Sequence, residues 1–214
     1  MPSRKATLIE NIPFTIDPVR VMREMKIPAS VRTLGDIPEK PVADAIRTAI
    51  DVGYSLIRGR GIYKTFPLDG IDGDAVVGSD TGRLFAGRHM VKLLGECPFA
   101  TLQVSTIGPE LEGRVQSLQD AGELTAAFAL EMVGGWMADY MAERVDERVE
   151  REMRRAGFAP TMRFSAGYGD WALSNQRAIV ALAEGERLGV AVTDSDIMIP
   201  RKSVSAVIGW KPEA

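Results

Sequence analysis

The chain has 214 residues, 45% of them hydrophobic and 26% charged, with a formal net charge of −3. That length suits one domain or two small ones and is enough for a hydrophobic core. The slight acidic surplus argues against a nucleic-acid binder, no apolar run nears the ~20 residues that span a bilayer, and one histidine with one cysteine cannot make a Cys/His zinc site.

The opening residues, "MPSRKATLIENIPF", hold no long apolar stretch, so no signal peptide is read there. Cys97 has no second cysteine to pair with. Both features point to the cytoplasm.

In chain order, residues 7–10 read as a strand. Asp17 is placed to cap a short helix, "PVRVMREM", whose first position is Pro18. "PEKPVADAIRTAIDVGYSLIRGR" reads as an amphipathic helix through Val42, Ala45, Ile46 and Ile50, then Tyr54 and Ile57. "GIYKTFPL" reads as a strand, and "DGIDGDAVVGSDTG" as a turn-rich segment around another short strand. Its acids do not fall into calcium-loop register. "RLFAGRHMVKLLGEC" reads as a helix ending near Gly95. That places His89 on a helix, and Cys97 as a small core residue beyond it. "FATLQVSTIG" follows as a buried strand, and "PELEGRVQSLQDAG" as a short helix ending at Gly122.

A long helix is then predicted from Leu124 to Arg155. Val133, Met137, Met141, Val145, Val149 and Met153 recur every four residues and should face the core. The charged run "ERVDERVEREMRR" reads as a solvated face, with Glu147–Arg151 and Glu150–Arg154 in the favourable order. Asp139 lies roughly 200° around the helix from Met137. With Trp136 and Gly135 one turn away, it either faces a cleft or is simply exposed. Gly157 and Pro160 end this helix.

"TMRFSAGYGDW" is then irregular. Arg163 offers a fork for a carboxylate, and Ser165, Ala166, Gly167 and Gly169 are small enough to bring backbone groups against a ligand. Tyr168 and Trp171 add rings. The same inventory also suits a packed connection between helices. Ser174 is placed to cap a helix over 174–188, and strands follow at 189–193 and 203–209. Helices and strands mix without a regular alternation. The expected fold is therefore α+β: one domain over 1–214 with a mainly antiparallel sheet, a long helix and flanking helices.

Three segments together carry a resemblance: "GGWMADYMAERVDERV", "RFSAGYGDW" and "GVAVTDSDIMIPRKSVSAVIG". In order and spacing they are similar to the S-adenosylmethionine-binding activation domain of cobalamin-dependent methionine synthase, and more so to its short stand-alone relatives, which carry Gly-Tyr-Gly-Asp. The match covers about residues 130–209. It implies that Arg163 holds the methionyl carboxylate and that Ser165, Ala166, Gly167 and Tyr168 line the ligand. Asp139 would stand where the family has a glutamate near the ligand, and Asp17 is the only counterpart visible for the family's N-terminal ligand acid. The function implied is reductive methylation of a cobalamin in methionine biosynthesis, with a flavodoxin- or ferredoxin-like electron donor.

The departures are equally specific. Methionine synthases follow Gly-Tyr with Pro-x-Cys-Pro, where this chain has Gly169, Asp170 and Trp171. The Asp-x-His-x-x-Gly cobalamin signature and the zinc thiolates are missing, so the corrinoid would arrive on a separate methyltransferase protein. No membrane or nucleic-acid partner, metal ligand or catalytic nucleophile is expected. The alternatives are a non-catalytic module that docks on the corrinoid protein and a small-molecule binder with a changed ligand.

Overall fold

In the computed structural model, which describes residues 5–213, the most regular pattern in the sequence becomes the longest element. Helix α5 spans Leu124–Arg155. All six members of its predicted apolar row are buried, as an i+4 stripe against a protein core requires. One of its internal glycines has a packing reason. A Cβ at Gly134 would come within 2.6 Å of Leu111 Cδ2, so the missing side chain lets α4 (Glu110–Asp120) approach closely.

The sheet is built on one long strand, β2 (Arg60–Asp72), and on β5 (Phe99–Thr106) and β9 (Ser203–Pro212). β5 lies between the other two, antiparallel to each, with Gln103 opposite Tyr63 on one side and Ala206 on the other. β1 (Thr7–Ile9) pairs with the first part of β2. The second part turns back through β3 (Ala75–Gly78) and β4 (Gly82–Ala86). Beyond β9 lies the short β6 (Phe158–Pro160). The antiparallel sheet with a long helix and flanking helices is the α+β arrangement expected.

Because strand residues alternate faces, the sheet separates two cores. On one face, α1 (Pro18–Glu24), α2 (Lys40–Leu56), α4 and α5 pack against Tyr63, Ile208 and Trp210. On the other, α3 (Arg88–Leu94) and α6 (Asn175–Leu182) cover Ile62, Leu102, Val104 and Val207. Asp17 caps α1 as predicted, its Oδ1 accepting the Val19 N–H at 2.8 Å. Cys97 is buried, and burial pushes its thiol above the usual range.

Four expectations are corrected. Residues 82–86 form β4, not the start of a helix; pairing with β3 overrides the helical look of "RLFAGRHM". The helix predicted over 174–188 stops at Leu182. Glu184 takes a left-handed φ of 63°, and a 3-10 turn covers Gly185–Leu188. Ser174 makes no side-chain cap. Finally, Arg144–Glu147 and Arg148–Glu152 pair where Glu147–Arg151 was expected, while Glu150–Arg154 forms at 2.7 Å. The hairpin β7 (Ala191–Val192) and β8 (Met198–Ile199) completes the second face.

Candidate functional site

The segment 161–171 leaves β6 and follows the outer edge of β9. Thr161 N–H donates to Gly209 O at 2.8 Å, and Phe164 exchanges both backbone hydrogen bonds with Val207. Extended backbone sends neighbouring side chains to opposite faces. Phe164 turns toward the second core, stacking near Trp171 and His89. Arg163 turns to the α5 side, where its Nη1 donates to Asp146 Oδ2 at 3.0 Å.

The loop after Phe164 is closed on itself. Gly167, at φ 94°, donates its N–H to Trp171 O at 2.8 Å. Gly169 sits at φ 59°, and a Cβ there would come within 2.9 Å of the His89 ring. Ala166 is buried in the second core, whereas Tyr168 projects outward at 67% exposure.

"GDW", the stretch that departs from the methionine synthase sequence, is the loop's anchor. Trp171 is 1% exposed and meets Phe85 edge-on with ring centroids 4.9 Å apart. Asp170 accepts the N–H groups of Arg88 at 2.9 Å and His89 at 3.2 Å, the orphan donors at the start of α3, and lies 2.6 Å from His89 Nδ1. These hydrogen bonds, above all the one with His89, hold its carboxyl below the usual range.

The acid nearest Arg163 was hidden in the charged run. Asp146 is largely buried. Its Oδ1 accepts Gln103 Nε2 at 2.5 Å from β5 and its Oδ2 accepts Arg163. Burial pushes its pKa up to about 6 against the pull of Arg163 and Gln103, and Glu143 adds to the rise. Beside it opens a cavity of about 150 Å³ lined by Asp146, Glu150, Pro160, Thr161, Arg163, Ile208 and Trp210. Asp139 is exposed on nearly the same helical face, two turns earlier and about 10 Å along the axis. The structure thus places Arg163 with Asp146 and leaves Asp139 separate from both. Ser165 is half-buried, one strand period beyond Arg163.

The sequence gives little sign of Asp146. A lone acid among arginines and glutamates reads as solvated until Gln103 and Arg163 are seen to cover it. The third segment of the resemblance serves as a fastener. Gln176 Nε2 donates to Asp196 O at 2.8 Å, Arg177 Nη2 to Thr193 O at 2.7 Å, and Ser203 Oγ to Pro200 O at 2.7 Å.

No protein-family sequence profile matches the chain, and no curated protein matches it in sequence. Among solved structures, it is similar to the MetH reactivation domain bound to AdoHcy. The TM-score is 0.71 at 16% identity, over 98% of this chain and 79% of that one. At that identity the likeness establishes a common fold. Among the described residues, no helix is long and apolar enough to cross a membrane.

Proposed function

We propose that this protein binds S-adenosylmethionine along the groove between α5 and the 163–168 segment, and serves the reductive methylation of a corrinoid carried by a separate methyltransferase protein. The observation that carries the reading is Arg163. Its Nη1 is committed to Asp146, while Nε and Nη2 have no partner among the described residues and are available to a carboxylate. The fold shared with an AdoHcy-bound reactivation domain supports the same reading.

The residues fit the ligand's charges. Its methionyl carboxylate suits Arg163. Its ammonium and sulfonium suit the acidic strip Asp139, Glu143 and Glu150. The cavity beside Arg163, at about 150 Å³, is smaller than the ~300–1,000 Å³ that encloses a whole ligand. It accommodates the methionyl end, and the remainder would lie over the exposed α5 surface that carries Glu143 and Asp139. An open position suits transfer to a second protein, because the methyl group must stay reachable. S-adenosylmethionine supplies a methyl on a good leaving group, so the chain's part is alignment rather than proton transfer. The partner supplies the corrinoid, and a flavodoxin- or ferredoxin-like protein the electron.

Calorimetry with S-adenosylmethionine tests the binding. The expected result is saturable one-to-one heat that Arg163→Ala weakens by about 10–100-fold, the worth of a charge-assisted hydrogen bond. Absence of heat at millimolar ligand would remove the reading. Reactivation of a cob(II)alamin-loaded partner, followed by its visible spectrum, tests the methyl transfer.

A further inference from the structure

We infer that Asp146 is a positioning residue for this site: as the carboxylate, and only then, it holds the Arg163 guanidinium in place to receive the ligand's own carboxylate. The inference rests on the binding reading above and assigns a role to a residue to which the resemblance gives none.

The geometry is specific. Asp146 takes one guanidinium nitrogen, Nη1, and leaves the edge formed by Nε and Nη2, which is the edge that grips a carboxylate through two parallel bonds. Its second oxygen is held by Gln103 from the central strand β5, so the carboxylate cannot swing after the arginine. Without it, Arg163 is a long side chain at a sheet edge, and ordering it on binding costs rotamer entropy. The charge is essential to the device, because a neutral carboxyl accepts more weakly and no longer offsets the cation.

Other groups set where that charge appears. Glu143 and Glu150 flank Asp146 on α5, Arg163 approaches from the loop, Gln103 from β5, and the apolar Ile208 and Trp210 from β9. Burial and Glu143 oppose the charge, while Arg163 and Gln103 favour it, leaving the group poised at about 6. Free S-adenosylmethionine titrates at its carboxyl, well below pH 5, and at its α-amino group, near ~8; loss of the ammonium would weaken binding as pH rises, so a strengthening centred near ~6 belongs to the protein.

The test is calorimetry with S-adenosylmethionine at pH 5 and 7.5. Wild-type affinity is expected to be about tenfold weaker at pH 5, the change that one required deprotonation near 6 produces. Asp146→Asn keeps the size and one acceptor oxygen and removes the charge, its amide N–H facing a Gln103 side chain that can turn its own oxygen toward it. It should bind at the weak, acid-limb level at both pH values. Glu143→Gln should move the midpoint downward and keep the step. An Asp146→Asn protein that binds as tightly as wild type at pH 7.5, or keeps the step, overturns the inference. Tighter binding also overturns it, by making Asp146 a competitor for Arg163. In the ligand-free protein, NMR should show the Arg163 Nε–H signal following the titration of the Asp146 carboxyl. Independent signals would overturn the inference whatever the ligand. A coupled titration without any binding would instead remove the S-adenosylmethionine reading and leave the coupling standing.

Discussion

Asp170 and His89, 81 residues apart, are joined side chain to side chain and side chain to backbone. The carboxylate lies 2.6 Å from Nδ1 and also accepts the His89 backbone N–H. This contact ties the 165–171 loop to α3 and satisfies the start of a seven-residue helix that has no cap of its own. Asp170→Ala should lower the melting temperature at pH 7. The folded-state pKa of Asp170 is depressed below 3.8. Its contribution is therefore present above that value and fades as pH falls through the lower one. Melts near pH 3 should show a smaller difference between variant and wild type than melts at pH 7.

Arg163→Ala should destabilise the fold as well as weaken ligand binding. It leaves Asp146 largely buried without its cation, at a cost of about 1–3 kcal/mol at pH 8. The loss should shrink at pH 5, where Asp146 takes up a proton. Asp146 alone, with its pKa raised, opposes stability increasingly as pH rises from about 4 to about 6. The Arg163→Ala, Asp146→Asn double variant should recover stability without recovering binding. Urea denaturation of the full cycle, with calorimetry alongside, checks both outcomes.

Asp139→Ala separates recognition from folding. The side chain is exposed, so the urea midpoint should stay within experimental error of wild type. Affinity for S-adenosylmethionine should fall about 1.5–5-fold, as for one exposed ion pair to a bound ammonium. Unchanged affinity would place the ligand's cationic groups against another part of the acidic strip.

Trp171 tests the anchor. Trp171→Ala should cost about 3–5 kcal/mol, as large aromatic deletions from a core do. Trp171→Phe should cost much less, because the buried indole Nε1 has no hydrogen-bond partner among the described residues and its removal relieves a desolvated donor. Equilibrium urea curves give both numbers.

What could be read in advance follows from the range of the forces involved. The body of α5 was legible because six apolar residues at i+4 spacing span about 5.6 turns, and Gly122 and Gly157 mark its ends. β4 was misread because "RLFAG" runs straight into the helix Arg88–Leu94, where Leu84 falls on the same helical face as Val91 and Leu94. The decision lay in the pairing of Ala75 with Ala86 and Val76 with Phe85 across the hairpin. Arg163 stood out from residue type and setting as a fork suited to a carboxylate. Asp146 did not, since its burial is produced by Gln103 and Arg163 from other parts of the chain. Asp139 and Asp146 look alike in sequence, both acids on one helical face. Only the neighbouring sheet edge makes them different.

The single bridge between Phe164 and Val207 has a consequence for how such a site can change over time. It divides two adjacent residues between two tasks: Phe164 belongs to the packing that moors the loop, and Arg163 to the polar cluster with Asp146 and Gln103. Mooring and polar cluster lie on opposite sides of the sheet. Under the binding reading proposed above, substitutions at Asp139, Glu143 or Ser165 would therefore change what binds while the loop stays berthed on Trp171 and His89.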